Sequence, residues 1–306
     1  MELAPILVFV YNRPEHTKKT IEALKKNKMA KDSLLFIFAD ASKNKYSVDN
    51  VNKVREYLKT IDGFKRVEII ERKNNFGLAK SIIMGVTEII NKYGKVIVLE
   101  DDLVTASNFI EYMNEALVLY EKDKRIYSVT GYNHPPSLMK IPTDYRYDVY
   151  LCPRAASWSW ATWKNRWNTV DWEVKDFNEF VKDKKRQRAY NYSGDDKTNM
   201  LISQMKGLLD SWAIRWDYHH FKNDAFCVYP VVSLVDNIGH DGTGVHCGKS
   251  IKYRNNIMDN KIRLRERVEF NSDIVGEFRK VYKANLISRI KMLIAKSFLY
   301  KVIKKI

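Results

Sequence analysis

The chain has 306 residues, which is enough for one large domain or for one domain with a substantial extension. Apolar residues make up 45% of it, so the chain can bury a sizeable core and is not globally disordered. The 53 Lys and Arg outnumber the 37 Asp and Glu, and this surplus indicates a polyanionic partner (nucleic acid, an anionic membrane or phosphorylated small molecules) or a compositional preference for Lys.

The first 131 residues alternate between short apolar runs and segments with helical spacing. Five runs are predicted to be strands, and the first helical segment is opened by Pro14. This alternation predicts an α/β fold with a mostly parallel sheet flanked by helices. The predicted strands are APILVFVY, SLLFIFAD, RVEIIE, KVIVLE and IYSVTGY, and the later helices are VNKVREYLKTI, GLAKSIIMGVTEIINKYG and ASNFIEYMNEALVLYEKD.

Beyond Gly131 the alternation breaks down, so we divide the chain into residues 1–131, 132–280 and 281–306. The first two segments would be halves of one domain. The tail, YKANLISRIKMLIAKSFLYKVIKKI, has seven basic residues and no acid, and Leu286, Ile290 and Leu293 share a helical face. It is predicted to be a basic amphipathic helix on an anionic membrane surface, unless it packs on the domain or is disordered.

The cysteines Cys152, Cys227 and Cys247 are far apart and odd in number, which disfavours a disulfide framework or a zinc site. A reducing compartment fits this usage. The first apolar run is predicted to be a strand and not a signal peptide, and no stretch of about 18 apolar residues suggests a membrane span. We therefore expect a cytoplasmic protein.

Polar residues follow four of the predicted strands. Because the carboxyl ends of parallel strands meet at one edge of a sheet, where ligands bind in α/β folds, we expect these side chains to converge. They are Tyr11, Asn12, Arg13, Asp40, Asn74, Asn75, Glu100, Asp101 and Asp102.

The stretch KVIVLEDDL runs an apolar strand directly into Glu100, Asp101 and Asp102. Three adjacent carboxylates repel one another unless a positive charge lies beside them. Carboxylates bind Mg²⁺ and Mn²⁺, which commonly bridge to phosphate oxygens. We therefore predict a divalent metal at Asp101 and Asp102 that arrives with a phosphorylated ligand. The alternative is that these acids cap the N-terminus of a helix.

Several nucleotide-binding signatures are missing. Neither G-x-G-x-x-G nor G-x-x-x-x-G-K-[ST] occurs, which argues against a dinucleotide-binding fold and a P-loop. The segment VYNRPEHTKKT has no glycine, which argues against a sugar-nucleotide pyrophosphorylase. No RNP, KH or helix-turn-helix signature is present, so we expect no nucleic-acid partner.

Five of the seven tryptophans lie between Trp158 and Trp172, in CPRAASWSWATWKNRWNTVDW. They could form a core plug between two parts of the domain. They could also form an aromatic platform, because the apolar face of a sugar stacks on indole. In GLLDSWAIRWDYHHF, His219 and His220 are predicted to be structural.

Taken together, these segments resemble glycosyltransferases of the GT-A fold. The similarity is to bacterial family 2-like sugar transferases and, more distantly, to the animal N-acetylglucosaminyltransferase I group. In LLDSWAIRW, Leu209 replaces the first Trp of the W-D-x-W catalytic segment. The other matching segments are LVFVYNRPEHTKKTIEAL, NNFGLAKSIIMGVTEII, VIVLEDDLVTASNFIEYMNEAL with the E-D-D motif, and NIGHDGTGVHC.

The resemblance implies a role for individual residues. Asp102 would bind Mn²⁺ or Mg²⁺, His246 would lie near the metal or the diphosphate, and Asp210 would be the catalytic base. Asp217 is the alternative base. A loop histidine without a ligand remains the other interpretation of His246. The predicted donor-binding residues are Tyr11, Arg13, Asp40, Asn75, Lys80, Glu100 and Asp101, and the predicted acceptor-binding residues are Trp158, Trp160 and Trp212.

The function implied is metal-dependent, inverting transfer of a sugar from a nucleotide-diphosphate donor, expected to be UDP-linked, to a bacterial surface glycan such as capsule or lipopolysaccharide. Residues 1–131 would bind the nucleotide sugar, and residues 132–280 would bind the acceptor and supply catalysis. Residues 281–306 would hold the enzyme at the inner face of the cell membrane, where the acceptor could be lipid-linked. The alternatives are a nucleotide-sugar or glycan-binding protein without catalysis and, less favoured, a basic nucleic-acid-binding protein.

Overall fold

The computed structural model describes residues 2–243, 249–257, 259 and 261–283. The predictions for His246, and for a basic tail beyond Lys283, lie outside these residues. The described strands form one large sheet and one short ribbon. In chain order the strands are β1 (Ile6–Val10), β2 (Leu34–Ala39), β3 (Arg66–Glu71), β4 (Lys95–Glu100), β5 (Leu103–Thr105), β6 (Ile126–Thr130), β7 (Val149–Cys152), β8 (Trp160–Trp163), β9 (Phe226–Pro230) and β10 (Val235–Asn237).

The large sheet has the strand order β3-β2-β1-β4-β8-β6-β9-β7. Its first four strands are parallel, and β8 joins β4 in antiparallel orientation. Beyond β8, strands β6 and β9 are parallel to each other, and β7 forms the antiparallel edge. The sheet therefore continues across residue 131, and the two predicted halves share it.

Helices pack on both faces of the sheet, as the sequence predicts. Strand β1 shows why, because its residues alternate between two apolar clusters. Ile6 and Val8 pack in the cluster on one face, and Leu7 and Phe9 pack in the cluster on the other. The α-helices are α1 (Pro14–Lys25), α2 (Val48–Leu58), α3 (Leu78–Tyr93), α4 (Phe109–Leu119), α5 (Lys164–Trp167), α6 (Phe177–Lys182), α7 (Lys184–Tyr190), α8 (Lys197–Met205), α9 (Trp212–Lys222) and α10 (Ser272–Val281).

The sequence does not predict the short strand β5, which follows the acidic residues directly. It pairs with β10 in an antiparallel ribbon, with Leu103 opposite Asn237. Helix α4 begins only at Phe109, with Asn108 as its N-cap residue. The alternative that the acidic residues cap a helix is therefore wrong, because a strand follows them.

Much of the tryptophan-rich region is core. Trp160 and Trp212 are only 1% and 2% exposed, and their ring centroids lie 4.9 Å apart. Trp167 and Trp216 pack in the same cluster, on the α3 side of the sheet. The predicted acceptor role of Trp160 and Trp212 needs an indole face open to a sugar, and their burial leaves none. The core-plug interpretation describes these residues better.

His220 is fully buried in α9, and its two ring nitrogens have partners. Nε2 lies 2.9 Å from the Ser128 Oγ, and Nδ1 lies 3.0 Å from the Trp216 carbonyl oxygen. These partners satisfy a neutral imidazole that donates from Nδ1 and accepts at Nε2. Burial lowers the pKa of His220 to about 3. The histidine is therefore a structural residue, as predicted from its place in the sequence.

This burial predicts a pH dependence of stability. The ordinary pKa of histidine is 6.5, and that of the folded His220 is about 3. Between these two pH values the imidazole binds a proton in the unfolded chain but not in the folded one. The free energy of unfolding should therefore fall as the pH is lowered through this range, by at most about 1.4 kcal/mol per pH unit for this group. Urea unfolding of the wild type and of His220→Asn at several pH values measures the effect. The variant should show a shallower decline, and equal slopes would contradict the assignment.

Candidate functional site

A cavity of about 300 Å³ lies at the carboxyl ends of β1, β2 and β4. The strand-end residues that the sequence singles out converge on it, as expected for a parallel sheet. The predicted site residues that line it are Tyr11, Arg13, Asp40, Asn75, Glu100, Asp101, Asp102 and Asp210.

Arg13 supplies a positive charge beside the acidic residues. Its Nη2 donates hydrogen bonds to the Asp101 Oδ1 and to the Asp102 Oδ2, the second at 2.8 Å. Pro14 starts α1 immediately after it, so the end of β1 and the start of the helix position the guanidinium. Burial opposes the charge, but Asp101 and Asp102 outweigh it and raise the pKa of Arg13. The guanidinium is therefore a permanent cation in this cluster.

Glu100 relieves the remaining repulsion in a different way. Burial raises its pKa to about 8, and the negative charges of Asp102 and Asp101 act in the same direction. A carboxyl group with this pKa is largely protonated at neutral pH. Burial also raises the pKa of Asp101, and the Arg13 cation opposes this shift. The cluster therefore carries less than the formal charge of three carboxylates, and Arg13 pairs with Asp101 and Asp102.

The segment after β10 closes over Asp102. The Ile238 backbone N donates to the Asp102 carbonyl oxygen at 2.9 Å. A Cβ atom on Gly239 would lie only 1.9 Å from the Asp102 Oδ2, so the close approach requires glycine here. Farther along, the His16 Nε2 lies 3.1 Å from the Asp241 Oδ2, which connects this segment to α1.

Asp40 and Asn75 lie on the opposite side of the cavity and contact each other. The Asp40 carboxylate accepts hydrogen bonds from the Asn75 Nδ2 and from the backbone N of Phe76 and Gly77, at 2.9–3.1 Å. Asp40 is 7% exposed. These hydrogen bonds hold the loop that leads into α3. Asp40 and Asn75, both predicted to bind the donor, line the cavity.

The other two predicted donor-binding residues differ in their surroundings. Tyr11 lines the cavity, and its hydroxyl accepts a hydrogen bond from the Lys43 backbone N at 3.0 Å. Lys80 is exposed on α3, and its Nζ lies 4.5 Å from the centre of the Phe76 ring. It is not among the residues that line the cavity. A direct role of Lys80 in donor binding therefore has no geometric support.

The two candidate bases, Asp210 and Asp217, lie in different environments. Asp210 is exposed and lines the cavity, and a Cβ on Gly77 would lie 3.7 Å from its Oδ2. Ser211 is the N-cap of α9 and accepts the hydrogen bond from the Ile214 N at 3.3 Å. Ser211, and not Asp210, therefore caps this helix.

Asp217 is buried, and its carboxylate is already in use. Its Oδ2 lies 3.0 Å from the Lys197 Nζ, and its Oδ1 accepts a hydrogen bond from the Ala155 backbone N at 2.8 Å. Both side chains of the ion pair are almost inaccessible to solvent. A carboxylate held in this way is poorly placed to accept a proton from a substrate hydroxyl. The geometry favours Asp210.

The chemistry of the acidic residues is compatible with a divalent metal. Asp101 and Asp102 present carboxylate oxygens, the ligands that Mg²⁺ and Mn²⁺ prefer, and both residues line the cavity. Within the described part of the chain, no three His, Cys, Asp or Glu side chains form a complete ligand set. One or two carboxylates suffice when substrate phosphates and water complete the coordination.

A second cavity, of about 260 Å³, adjoins the first and was not predicted from the sequence. Trp158 is the predicted acceptor-binding residue that lines it. Its polar lining includes Arg154, Asp196 and His134, which come from distant parts of the chain. The segment CPRAASW places an arginine four residues before a tryptophan, which is the one sign of this cavity in the sequence. That spacing alone does not show that the two residues line a cavity.

The mixed sheet, whose first four strands are parallel and which has acidic residues at the carboxyl end of β4, is the arrangement expected for a glycosyltransferase of the GT-A fold. Residues 1–192 match the model of the GNT-I family. Because this match covers more than half of the 306 residues, the chain belongs to the GNT-I family. The predicted fold class and enzyme class are thereby confirmed.

Three solved structures show distant similarity. Staphylococcus aureus TarS has 14% identity over 45% of this chain and 24% of its own length, with a TM-score of 0.30. The mannosyltransferase PcManGT from Pyrobaculum calidifontis, in complex with GDP-Man and Mn²⁺, has 13% identity over 72% and 76%, with a TM-score of 0.37. Mouse xyloside xylosyltransferase 1, in its apo form, has 8% identity over 75% and 84%, with a TM-score of 0.39.

No curated protein matches the chain significantly in sequence. Among the helices that the structure describes, none combines the length and the apolar character needed to cross a membrane.

Proposed function

We propose that the protein is a metal-dependent, inverting glycosyltransferase that moves a sugar from a nucleotide-diphosphate donor to a hydroxyl group of a glycan. One observation carries the proposal. A single cavity at the strand ends is lined by the cluster of Arg13, Asp101 and Asp102 and also by the exposed carboxylate of Asp210. Donor activation and proton acceptance can therefore occur in one cavity.

The cluster would bind the diphosphate of the donor. Asp102, with Asp101, would hold Mn²⁺ or Mg²⁺, and the bound metal would stabilise the negative charge that develops on the leaving diphosphate. Arg13 adds a fixed cation at the same place and keeps both carboxylates in position. His246 remains a proposed neighbour of this site. The nucleoside, which we propose is uridine, would lie toward Tyr11 and the loop fixed by Asp40 and Asn75.

Asp210 would be the general base. Inverting transfer in a single displacement needs a base within about 3 Å of the acceptor hydroxyl, on the side away from the leaving group. Asp102 and Asp101 cannot serve because Arg13 and the proposed metal use their oxygens. Asp210 reaches the cavity beside Gly77, and it does not serve as the helix cap. Its carboxylate would accept the hydroxyl proton as the oxygen attacks the anomeric carbon.

The test is Asp210→Asn, assayed with a panel of nucleotide sugars for transfer or metal-dependent hydrolysis. Because Asp210 is exposed and caps nothing, the variant should melt like the wild type and bind nucleotide diphosphate normally. Its transfer rate should fall by roughly 10²–10⁴-fold, the typical contribution of a general base.

Asp217→Asn is the matched comparison because it changes an Asp of the same helix region in the same way. It weakens the buried pair with Lys197 and should therefore lower the melting temperature. An Asp210→Asn enzyme that retains more than about a tenth of wild-type transfer would exclude Asp210 as the base. If the wild type neither binds nor hydrolyses any nucleotide sugar, the proposed function itself fails.

We further propose a bacterial surface glycan as the acceptor and the inner face of the cell membrane as the place of action. The support is the tail, in which seven basic residues and no acid follow Val281. This segment lies largely outside the described residues, so the argument rests on its sequence.

Deletion of residues 286–306 should release the protein from anionic liposomes and leave its cooperative thermal unfolding intact. The electrostatic part of the binding should weaken at high salt, because screening shortens the range of the attraction. Co-sedimentation of the full-length and truncated proteins at low and high salt measures this. A truncated protein that still sediments with the liposomes would show that the tail is not the anchor.

A further inference from the structure

Two segments of the chain contribute lining residues both to the first cavity, which we call the donor cavity, and to the second cavity. In one segment, Gly239 lines the donor cavity and the next residue, His240, lines the second cavity. In the other segment, Asp210 lines the donor cavity, and Ala213 and Asp217, at the start and the middle of α9, line the second. The segment that carries the proposed base therefore leads directly into the helix that lines the second cavity.

Aromatic rings form much of the wall of the second cavity. Trp158 is in the middle of them, with ring centroids 4.7 Å from Tyr132, 5.5 Å from His240 and 5.6 Å from Tyr253. All of these contacts are close to edge-to-face. Unlike Trp160 and Trp212, Trp158 is only partly buried and lines the open space. A pocket of aromatic rings with a few polar groups suits a ring that is apolar on its faces and polar at its edge.

The charged groups of this cavity are paired with one another. Arg154 forms a bidentate ion pair with Asp196, with both N–O distances at 2.8 Å. Asp217 pairs with Lys197 at 3.0 Å. Two cations and two anions thus balance, and neither pair leaves an unmatched charge for a ligand. A phosphate or carboxylate on the ligand would be desolvated here without a counter-charge of its own.

Two histidines offer polar atoms without a partner. The His134 Nδ1 and the His240 Nε2 are both buried and lack a hydrogen bond within the described structure. His134 is 5% exposed, and its Nε2 lies 3.1 Å from the Tyr282 hydroxyl. Burial lowers the pKa of His134 to about 3, so the ring is neutral. A buried polar atom without a partner is costly, and a ligand hydroxyl would satisfy it.

We propose that the second cavity is the acceptor subsite and that it takes an uncharged sugar ring, stacked against Trp158 and hydrogen-bonded by His134 and His240. This inference rests on the proposed function, because it assigns the substrate class of the same enzyme. It excludes acceptor residues that carry a phosphate, a uronic acid or a sialic acid at this position. It also places the reacting hydroxyl on the side of the cavity that faces Asp210.

The probes are methyl glycosides, which are small and have no aromatic group to bind unspecifically. Neutral methyl hexosides and N-acetylhexosaminides form one set, and methyl glucuronides and hexose phosphates form the other. Saturation-transfer NMR measures their binding to the full chain, with and without UDP and Mn²⁺. Trp158→Ala and His240→Ala alter the cavity, and Trp172→Ala is the matched control because its indole is also partly buried but lines neither cavity.

Neutral glycosides should bind the wild type and Trp172→Ala, and the charged glycosides should not. Trp158→Ala and His240→Ala should weaken this binding at least about tenfold and leave the affinity for UDP within about twofold of the wild type. Stronger binding of the charged set, no binding of any neutral glycoside, or wild-type binding by both cavity variants would overturn the assignment. Since glycoside binding is measured separately from UDP binding, failure of the donor site would be seen independently.

Discussion

The pairing of Arg13 with Asp101 and Asp102 is the interaction on which the proposed donor site depends. Strand β4 is buried, and it ends in three acids that cannot all keep their charge away from water without compensation. The register of the sheet supplies the compensation, because Phe9 of β1 lies opposite Glu100 of β4. The chain that leaves β1 therefore passes the acidic residues, and Arg13 meets them there. Protonation of Glu100 reduces the negative charge of the cluster, and Arg13 pairs with Asp101 and Asp102.

The ribbon of β5 and β10 is the second constraint, because it determines what surrounds this cluster. By pairing with β5 directly after Asp102, strand β10 brings Gly239 against the Asp102 carboxylate and places His240 beside Trp158. Gly239 and His240 thus lie between the donor cavity and the second cavity. On the other side, the start of α9 lies between the two cavities. Asp210, just before this helix, lines the donor cavity, and Asp217 lines the second cavity. Under the proposed function the two substrates must meet, and these two segments are where the proposed donor and acceptor sites come closest along the chain.

The first half of the fold and the centre of the donor site could be predicted from the sequence, because they depend on local patterns. An apolar run with a polar end is visible in KVIVLEDDL, and parallel strands bring such ends together. The partner of the acidic residues was harder to predict. Arg13 was expected to contact a donor, whereas in the structure it pairs with Asp101 and Asp102, which lie 88 and 89 positions away in the chain.

The second half was predictable only in outline, since its contacts link distant segments. The burial of Trp160 and Trp212 depends on how α9 packs against α3, and composition does not reveal which tryptophan stays open. In the same way, Asp217 looks like a candidate base until Lys197 is found beside it. The three-residue strand β5 is too short to show a periodicity. The second cavity is formed by segments that include residues more than a hundred positions apart in the chain. No sequence pattern relates residues at such separations.

The most direct test of the central claim is titration calorimetry of UDP into the wild type and Asp102→Asn, each with Mn²⁺ and with EDTA. If the acidic cluster is the metal and diphosphate site, UDP should bind the wild type at least about tenfold more tightly with Mn²⁺, and the variant should lose this difference. The variant should still unfold cooperatively, because Asp101 remains to pair with Arg13. A wild type that binds UDP equally well in EDTA, or a variant that keeps the full effect of Mn²⁺, would contradict the account.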